Sequence, residues 1–511
     1  MLDIFLSLDD DGPERLAAEV QAVAPGRAFI VARRSLDARR GGRIGYRYRV
    51  ALEEVPRQHA HPGLHPGARG RHVLVVGAGP AGLFAAYRLV HAGARVTLVE
   101  QGKAVQPRRH DLARLTQRGE LSPSSNYCFG EGGAGTFSDG KLYTRVKDRE
   151  AVAFVLGTLV RMGGPPEIAF ESRAHVGSNR LPKILTALRE HLVGEGVSYR
   201  FEAALEDLVV DGGDVRGGLV RTAEGLEELR ADAVVLATGH SARGVYEMLH
   251  RRTVALEPKP LAVGVRAEHP QPLIDEIQYG KLGRPRHPRL PAALYELTCD
   301  LGERRGAYSF CMCPGGWIVP CATEPGGLVT NGMSLARRDS PHANAALVVS
   351  VDARDYGEGP LAALEFQRTL ERAAYQAGGG GFVAAATRVD DFLAGRASSE
   401  VARSSYLPGV VAGDVAAALP PRVVEGLRVA IRRWDKMLRG FGSREGQLVG
   451  VETRTSAPVR VMRDRDTLAS PSHPGLYPVG EGAGFAGGIV SAAIDGLRAA
   501  EALLRVPADA P

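Results

Sequence analysis

Residues 71–100 contain the pattern that most restricts how this chain can fold. A short apolar run is followed by a glycine-rich turn, an apolar stretch with helical spacing, and a second apolar run that ends in Glu100. The turn contains three glycines with the spacing Gly-x-Gly-x-x-Gly: Gly77, Gly79 and Gly82. Strand, glycine turn, helix and second strand occur in the order that a dinucleotide-binding βαβ unit requires. The sequence therefore predicts an α/β protein with a parallel sheet.

The residue type at each key position of this unit has a physical explanation. Gly77 permits the tight turn, Gly79 lets a pyrophosphate approach the backbone, and Gly82 lets the helix pack closely on the strand. The helix amino terminus, which includes Ala81, offers unpaired amides and the positive end of its dipole to phosphates. Glu100 is placed to accept hydrogen bonds from ribose hydroxyls, and its charge repels a 2′-phosphate. We expect FAD or NAD here rather than NADP; a glycine turn without a ligand is the alternative.

Composition and charge exclude several classes of protein. Hydrophobic residues make up 44% and charged residues 24% of the chain, as in globular proteins and unlike disordered or collagen-like chains. The net charge of +6 comes from scattered arginines without a long basic stripe, so nucleic acid is not an expected partner. The amino terminus carries acids where a secretory signal has a basic region, and no run approaches the ~18 apolar residues of a membrane span. Five cysteines in 511 residues do not form a disulfide framework, so we expect a cytoplasmic protein.

A second glycine-rich segment, at residues 126–145, has the composition of a ligand-wrapping loop. Closely spaced glycines and hydroxyl residues let successive backbone amides face an anionic or flat ligand. A flexible surface loop is the alternative, but the aromatic residues Phe129, Phe137 and Tyr143 argue against full exposure. The segment has five glycines, at 130, 132, 133, 135 and 140, interleaved with Thr136, Ser138 and Asp139, and ligand contact is the favoured interpretation.

Two further segments end a strand in glycine. An apolar run at 233–237 leads into Thr238 and Gly239, which suits a chain that passes close to a dinucleotide. Near the carboxyl end, a strand, several glycines and a helix of small residues predict a second helix-terminus site. This segment runs from Gly475 through Gly480, Gly484 and Gly488 into the helix.

Four segments carry a resemblance to a known family. They lie at residues 129–143, 308–316, 330–334 and 452–459. Together with the βαβ unit they resemble the two-dinucleotide-binding-domain flavoproteins, and more narrowly the bacterial and plastid proteins called uncharacterised FAD-dependent dehydrogenases. The resemblance covers essentially the whole chain.

The resemblance implies one non-covalent FAD, and it gives roles to the residues above. The βαβ glycines with Ala81 and Glu100 would bind the adenosine and pyrophosphate, with Arg108 near a basic position that follows the acid. In the loop, Gly132, Gly133, Gly135, Thr136 and Ser138 would run along the flavin, and Thr238 and Gly239 would form the second nucleotide-side turn. In the closing motif near the carboxyl end, Gly480 and Glu481 would meet the ribityl chain and pyrophosphate, and Gly487, Gly488 and Ile489 would face the flavin O2 edge. Many relatives carry Asp in the closing motif, where this chain has the longer Glu481.

The resemblance also implies a domain order. We expect a small α+β, ferredoxin-like module with its linker at 1–70, and a Rossmann-type FAD-binding domain with a β-meander at 71–254. A mixed α+β substrate domain follows at 255–445, inserted before the closing part at 446–505. Histidines 59, 61 and 65 in the linker lack acidic or cysteine partners nearby, so we predict no metal site.

The predicted activity is that of an FAD-dependent oxidoreductase that transfers hydride between flavin N5 and a small or polycyclic organic substrate. There is no second Gly-x-Gly-x-x-Gly in a βαβ context, so NAD(P)H would bind only transiently at the substrate face, or another partner would donate electrons. Two alternatives stay open: a monooxygenase of the aromatic hydroxylase type, and a flavoprotein whose main role is to bind RNA or a partner.

The segment at 308–316 supplies the catalytic candidates. Cys311 and Cys313 stand two apart in a predicted strand, so both thiols would lie on one face and could look toward the flavin. The alternative is that both simply pack in the interior, as cysteines often do. Tyr308 is the candidate proton donor.

Overall fold

Residues 1–52 contain a three-stranded antiparallel sheet and one helix. The computed structural model describes residues 1–39, 42–52 and 63–506. The elements of this part are β1 (Leu2–Ser7), α1 (Pro13–Val23), β2 (Phe29–Asp37) and β3 (Gly45–Leu52). This order matches only the first four elements of the βαββαβ ferredoxin-like motif, and the described residues of this module hold no further helix or strand. Histidines 59 and 61 of the predicted linker lie outside the described residues.

The next part of the chain builds most of a parallel sheet and a β-meander. The strands are β4 (His72–Val76), β5 (Arg95–Val99), β6 (Ser198–Arg200), β7 (Ala204–Asp211), β8 (Asp214–Thr222), β9 (Gly225–Arg230) and β10 (Ala233–Leu236). The helices are α2 (Pro80–Ala92), α3 (Val105–Arg118), α4 (Arg149–Arg161), α5 (Leu181–Gly194) and α6 (Arg243–Arg251). Strands β7, β8 and β9 form the predicted antiparallel meander.

A seven-stranded sheet follows. The strands of this part are β11 (Leu256–Pro258), β12 (Leu261–Pro270), β13 (Thr298–Gly302), β14 (Arg305–Cys313), β15 (Gly316–Pro320), β16 (Thr330–Ser334), β17 (His342–Val351), β18 (Ala384–Arg388), β19 (Val410–Ala412), β20 (Gln447–Glu452) and β21 (Val459–Val461). The order in the seven-stranded sheet is β13-β14-β17-β12-β20-β18-β19. The helices of this part are α7 (Gln271–Tyr279), α8 (Ala353–Tyr356), α9 (Ala362–Ala377), α10 (Val389–Ala394) and α11 (Pro421–Met437). Strand β20 pairs with β12 and β18, although the predicted boundary after residue 445 groups it with the closing part.

The last two elements complete the parallel sheet. They are β22 (Leu476–Pro478) and α12 (Ile489–Arg505). The sheet order is β22-β10-β4-β5-β6, and every neighbouring pair is parallel. The predicted βαβ unit is therefore present, and the strand near the carboxyl end returns to the same sheet.

Helix α2 is buried on nearly all sides because α12 lies directly against it. Small residues allow this approach: a Cβ on Gly496 of α12 would lie 2.0 Å from the backbone oxygen of Ala81. Packing of this kind leaves no room for a side chain, so the two helices are held in a fixed relation. Both helices begin at the same end of the sheet, where their amino termini face one region.

Three main groups of buried side chains stabilise the protein. One joins the seven-stranded sheet, α11 and the amino-terminal module, the second joins the parallel sheet to α2, α5 and α12, and the third lies under the meander. No helix in residues 1–39, 42–52 and 63–506 is both long and apolar enough to cross a membrane.

Candidate functional site

A cavity of about 1810 Å³ lies between the parallel sheet and the seven-stranded sheet. It is bordered by the turns after β4 and β10, the loop 126–145, strand β14 and the start of α12. Ligands of open parallel sheets bind at the carboxyl ends of the strands, and this cavity has that position. Ordinary small-molecule pockets measure roughly 300–1,000 Å³, so this one has room for a dinucleotide and a second molecule.

The glycine turn after β4 leaves open space at one position only. Gly77 has φ +101°, and a Cβ there would lie 2.5 Å from the backbone oxygen of Ala237. A Cβ on Gly82 would lie 1.9 Å from the Gly77 oxygen, so Gly82 lets helix and strand pack closely, as predicted. A Cβ on Gly79 would have no protein atom within 4 Å, and Gly79 borders the cavity at the start of α2. This opening at a helix amino terminus fits a pyrophosphate.

Glu100 joins three backbone segments beside that opening. Its carboxylate accepts hydrogen bonds of 2.9 Å from the amides of Ala78, Gly102 and Gly130. The side chain is buried but borders the cavity. A carboxylate offers about four lone-pair directions, so one remains for a ribose hydroxyl. Glu100 thus fits its predicted role and also fixes the turn that forms the site.

Arg108 lies behind the glycine-rich loop and does not reach the cavity, contrary to its predicted cofactor role. Its guanidinium is fully buried and donates to the backbone oxygens of Asn126, Tyr127, Glu131 and Gly133 at 2.8–3.1 Å. Burial lowers the pKa of Arg108 to about 10, which still leaves it charged at neutral pH. The residue holds the loop in shape.

Gly132 and Thr136 likewise lie inside the loop. Thr136 is fully buried and donates to the Glu131 oxygen at 2.6 Å. A Cβ on Gly132 would lie 2.2 Å from the Thr136 hydroxyl oxygen. Neither borders the cavity, because alternate residues of a tight loop face inward to satisfy the backbone.

The other predicted cofactor residues come together around the cavity. They derive from four separate segments of the chain: Gly77, Gly79, Ala81, Glu100, Gly133, Gly135, Ser138, Thr238, Gly239, Gly480, Glu481, Gly487, Gly488 and Ile489. The Gly480 amide donates to Asp495 at 2.7 Å, and Asp495 also pairs with Arg463. Helix α12 begins at the cavity after its N-cap, Gly488, as predicted.

Strand β14 forms the wall on the other side of the cavity, and it is irregular. A β-bulge falls between Phe310 and Cys313, and Cys311 has the left-handed φ of +47°. The bulge breaks the strand alternation on which the same-face prediction relies. As a result Cys311 borders the cavity, as does Tyr308, whereas Cys313 is fully buried and does not.

A half-buried lysine on the cavity wall lies close to both thiols. The Lys141 ammonium lies 3.9 Å from the sulfur of Cys311, 3.8 Å from that of Cys313 and 3.0 Å from a carboxylate oxygen of Asp139. A hydrogen bond from Cys313, with the charges of Lys141 and Arg266, holds the pKa of Cys311 well below its usual range. The same hydrogen bond and burial raise the pKa of Cys313. Thiolates in electropositive, partly accessible surroundings are the reactive ones.

Sequence reasoning did not assign Lys141 a role, although it stands inside one of the four family segments. One signal was available: the chain has only seven lysines, at 103, 141, 147, 183, 259, 281 and 436. In a chain this rich in arginine, a lysine at this position is a chemically specific choice, since lysine and arginine are not interchangeable.

The absence of a metal site stays a prediction. Among the described residues, His91, His191 and Glu195 have ligand atoms that all lie within 4.8 Å of one another. This group lies on α2, α5 and the residue after α5, outside the cavity.

A parallel sheet with a dinucleotide-sized cavity at its strand ends defines the class of nucleotide-binding α/β proteins. Comparison with known proteins narrows this class. Residues 72–110 and 108–264 match the model of an FAD binding domain, and residues 260–455 match that of "FAD-dependent protein, C-terminal domain-like". The chain belongs to this family of FAD-dependent proteins, which confirms the resemblance stated from the sequence.

Two relatives and one solved structure are among the proteins to which this chain is similar. An uncharacterised protein of Clostridium beijerinckii is 44% identical over 435 residues, covering 84% of this chain and 80% of that protein. The thiamine thiazole synthase of Aeropyrum pernix is 30% identical over 182 residues, 33% of this chain and 55% of the synthase. The solved E. coli quinol fumarate reductase is 14% identical with a TM-score of 0.38, covering 85% of this chain and 70% of that one.

Proposed function

We propose that this protein transfers hydride between the N5 atom of a non-covalently bound FAD and a small or polycyclic organic substrate. One observation carries the proposal: a single cavity of about 1810 Å³ extends from the turn at Gly79 to strand β14. The cofactor and a second molecule could therefore bind next to each other in the same cavity. Bound FAD would supply a ring that accepts or donates hydride.

Different residues along the cavity would bind different parts of the cofactor. The turn at Gly79 and the amino terminus of α2 would bind the pyrophosphate, and Glu100 would accept from the ribose. The start of α12, after Gly488, would face the flavin with the positive end of its dipole. The proposal is supported by the match of residues 72–264 to an FAD binding domain.

On the substrate side of the cavity, Tyr308 would donate a proton, Cys311 would accept one, and Lys141 would stabilise the Cys311 thiolate. Burial raises the pKa of Tyr308, so its phenol stays protonated at neutral pH and can donate a proton. Cys311, held as a thiolate beside Lys141, would accept one. A donor and an acceptor on one wall are what a hydride transfer to or from carbon needs, because such a step is accompanied by proton transfer.

The first test is the cofactor content. We expect purified protein to be yellow, to contain one FAD per chain, and to release that FAD on denaturation, since no linking residue is assigned. Absorbance before and after acid precipitation measures this. Correctly folded, colourless protein that takes up no FAD would overturn the proposal.

The second test concerns the reductant. We expect slow or substrate-stimulated reduction by NADH and NADPH, because no second dinucleotide motif is present to orient the nicotinamide. Stopped-flow bleaching of the flavin by each nicotinamide without substrate measures the rate. Rapid, saturable reduction at micromolar nicotinamide would contradict this expectation and indicate a dedicated nicotinamide site.

A further inference from the structure

Cys128 and Cys321 form a second thiol pair, from segments far apart in the sequence. The Cys128 sulfur lies 3.5 Å from the backbone oxygen of Cys321, to which its thiol can donate a hydrogen bond. Cys128 borders the cavity near the start of the glycine-rich loop, whereas Cys321 is buried and does not border it. Neither is in a disulfide. One thiol thus faces the cavity, and the other lies in the protein interior beside it.

Charged and polar groups distinguish the two thiols. Arg454 also borders the cavity, and it is held by Glu371 at 2.8 Å and by the Thr323 hydroxyl at 2.9 Å. The hydrogen bond from Cys321, together with the charge of Arg454, lowers the pKa of Cys128 to about 5, although burial alone would raise it. The same hydrogen bond and burial raise the pKa of Cys321. An accessible thiolate backed by a protonated thiol is the arrangement that thiol–disulfide exchange uses.

Cys311 and Cys313 likewise combine one thiol of lowered pKa with one of raised pKa, but their geometry is less favourable for a disulfide. Only one residue separates these cysteines, so a bond between them would close a small, strained ring. Cys128 and Cys321 lie on separate segments, and no such ring limits them. Of the two pairs, Cys128 and Cys321 are the better suited to cycle between dithiol and disulfide.

We infer that Cys128 and Cys321 are a redox pair that exchanges two electrons with the flavin. In the forward direction the Cys128 thiolate and the Cys321 thiol form a sulfur–sulfur bond and release one proton and two electrons. Bound FAD would accept both electrons and a proton. The reverse exchange opens the disulfide. This inference rests on the proposed function, because it requires FAD in the cavity.

This exchange would let the cysteine pair store electrons and pass them to the flavin. The proposed function leaves the entry of electrons to a transient nicotinamide, since no second dinucleotide unit is present. A dithiol beside the cavity can store one electron pair while the substrate is exchanged. A reduced protein would therefore hold two electron pairs, one on the flavin and one on the cysteines.

Anaerobic titration of the full-length, FAD-loaded protein tests the inference. The protein is first oxidised with diamide, freed of reagent, and then titrated with dithionite while the flavin absorbance is followed. We expect four electrons per chain for the unaltered protein, because a disulfide takes two in addition to the two of the flavin. The variants Cys128→Ser and Cys321→Ser should take two. The double variant Cys311→Ser/Cys313→Ser should still take four.

A second readout identifies the bond without any turnover. Oxidised protein is denatured in iodoacetamide and digested, and the peptides are examined by mass spectrometry. A peptide pair linked through Cys128 and Cys321 supports the inference. Uptake of only two electrons by the unaltered protein, with both cysteines alkylated, would overturn it even if FAD is bound. Loss of FAD itself, seen in the visible spectrum before titration, would instead count against the proposed function.

Discussion

Replacing Gly79 with alanine should remove most of the bound FAD while leaving the protein folded. The reason is local: a Cβ at this position meets no protein atom within 4 Å, so the added methyl would occupy only the space reserved for the pyrophosphate. The backbone of Gly79, with φ −76° and ψ 178°, is one that alanine adopts without strain. We expect the FAD dissociation constant to rise at least about tenfold, or ~1.4 kcal/mol. Fluorescence titration of apoprotein with FAD measures it.

Gly77→Ala is the matched control, with the opposite expectation. Gly77 has φ +101°, and its Cβ would lie 2.5 Å from the Ala237 oxygen, so alanine there should lower the melting temperature of the apoprotein itself. Gly79→Ala should leave that temperature within error of the unaltered protein. If Gly79→Ala retained FAD with unchanged affinity, the pyrophosphate would not lie at this turn.

Replacing Lys141 with glutamine should make Cys311 far less reactive. The ammonium lies 3.9 Å from the Cys311 sulfur, and its charge helps to hold the pKa of that thiol well below the usual range. Without it the pKa rises, and the thiolate fraction at neutral pH falls. We expect alkylation of Cys311 by iodoacetamide at pH 7 to slow on the order of tenfold, since one pKa unit corresponds to a tenfold change in ionisation. Mass spectrometry of the Cys311 peptide measures the rate.

The pH dependence of Cys311 alkylation tests the same prediction and gives its direction. Because the pKa of Cys311 is held well below its usual range, we expect its alkylation rate in the unaltered protein to stay level between pH 6.5 and 9. In Lys141→Gln the rate should rise with pH across that range, because the thiol then ionises within it. Lys147→Gln, which changes an exposed lysine between this loop and α4, is the control and should keep the level profile. A level profile in Lys141→Gln would show that the lysine does not set the ionisation of Cys311.

The βαβ unit was predictable because its signals are local. The spacing of Gly77, Gly79 and Gly82 and the acid at Glu100 follow from short-range geometry, and the structure has each of them where the motif requires. The roles of Arg108 and Thr136 were not predictable in the same way. A motif indicates which segment forms the loop, but which side chains turn inward depends on the backbone oxygens that the folded loop must satisfy.

The arrangement of the cysteines could not be predicted from the sequence, for two different reasons. The alternation rule placed Cys311 and Cys313 on one face, but the bulge in β14 arises from pairing with β17, which a local pattern does not contain. Cys128 and Cys321 come from separate segments, and their approach follows only from the way the loop packs against the strand before Cys321. Lys141 needs the same tertiary information, because it reaches both cysteines across 170 or more positions of sequence.

The strand order of the parallel sheet has a consequence for how the protein is made. Strand β4 begins at His72, but its neighbour β10 ends at Leu236 and the edge strand β22 begins only at Leu476. A ribosome adds residues in order, at about 5–20 per second, so the cavity lacks its last strand and α12 until residue 505 has been made. A nascent chain stopped before Leu476 would have an uncovered sheet edge and an open side of the cavity. The complete pocket can therefore bind FAD only after β22 and α12 have been made, and β10 must stay free of other strands until then.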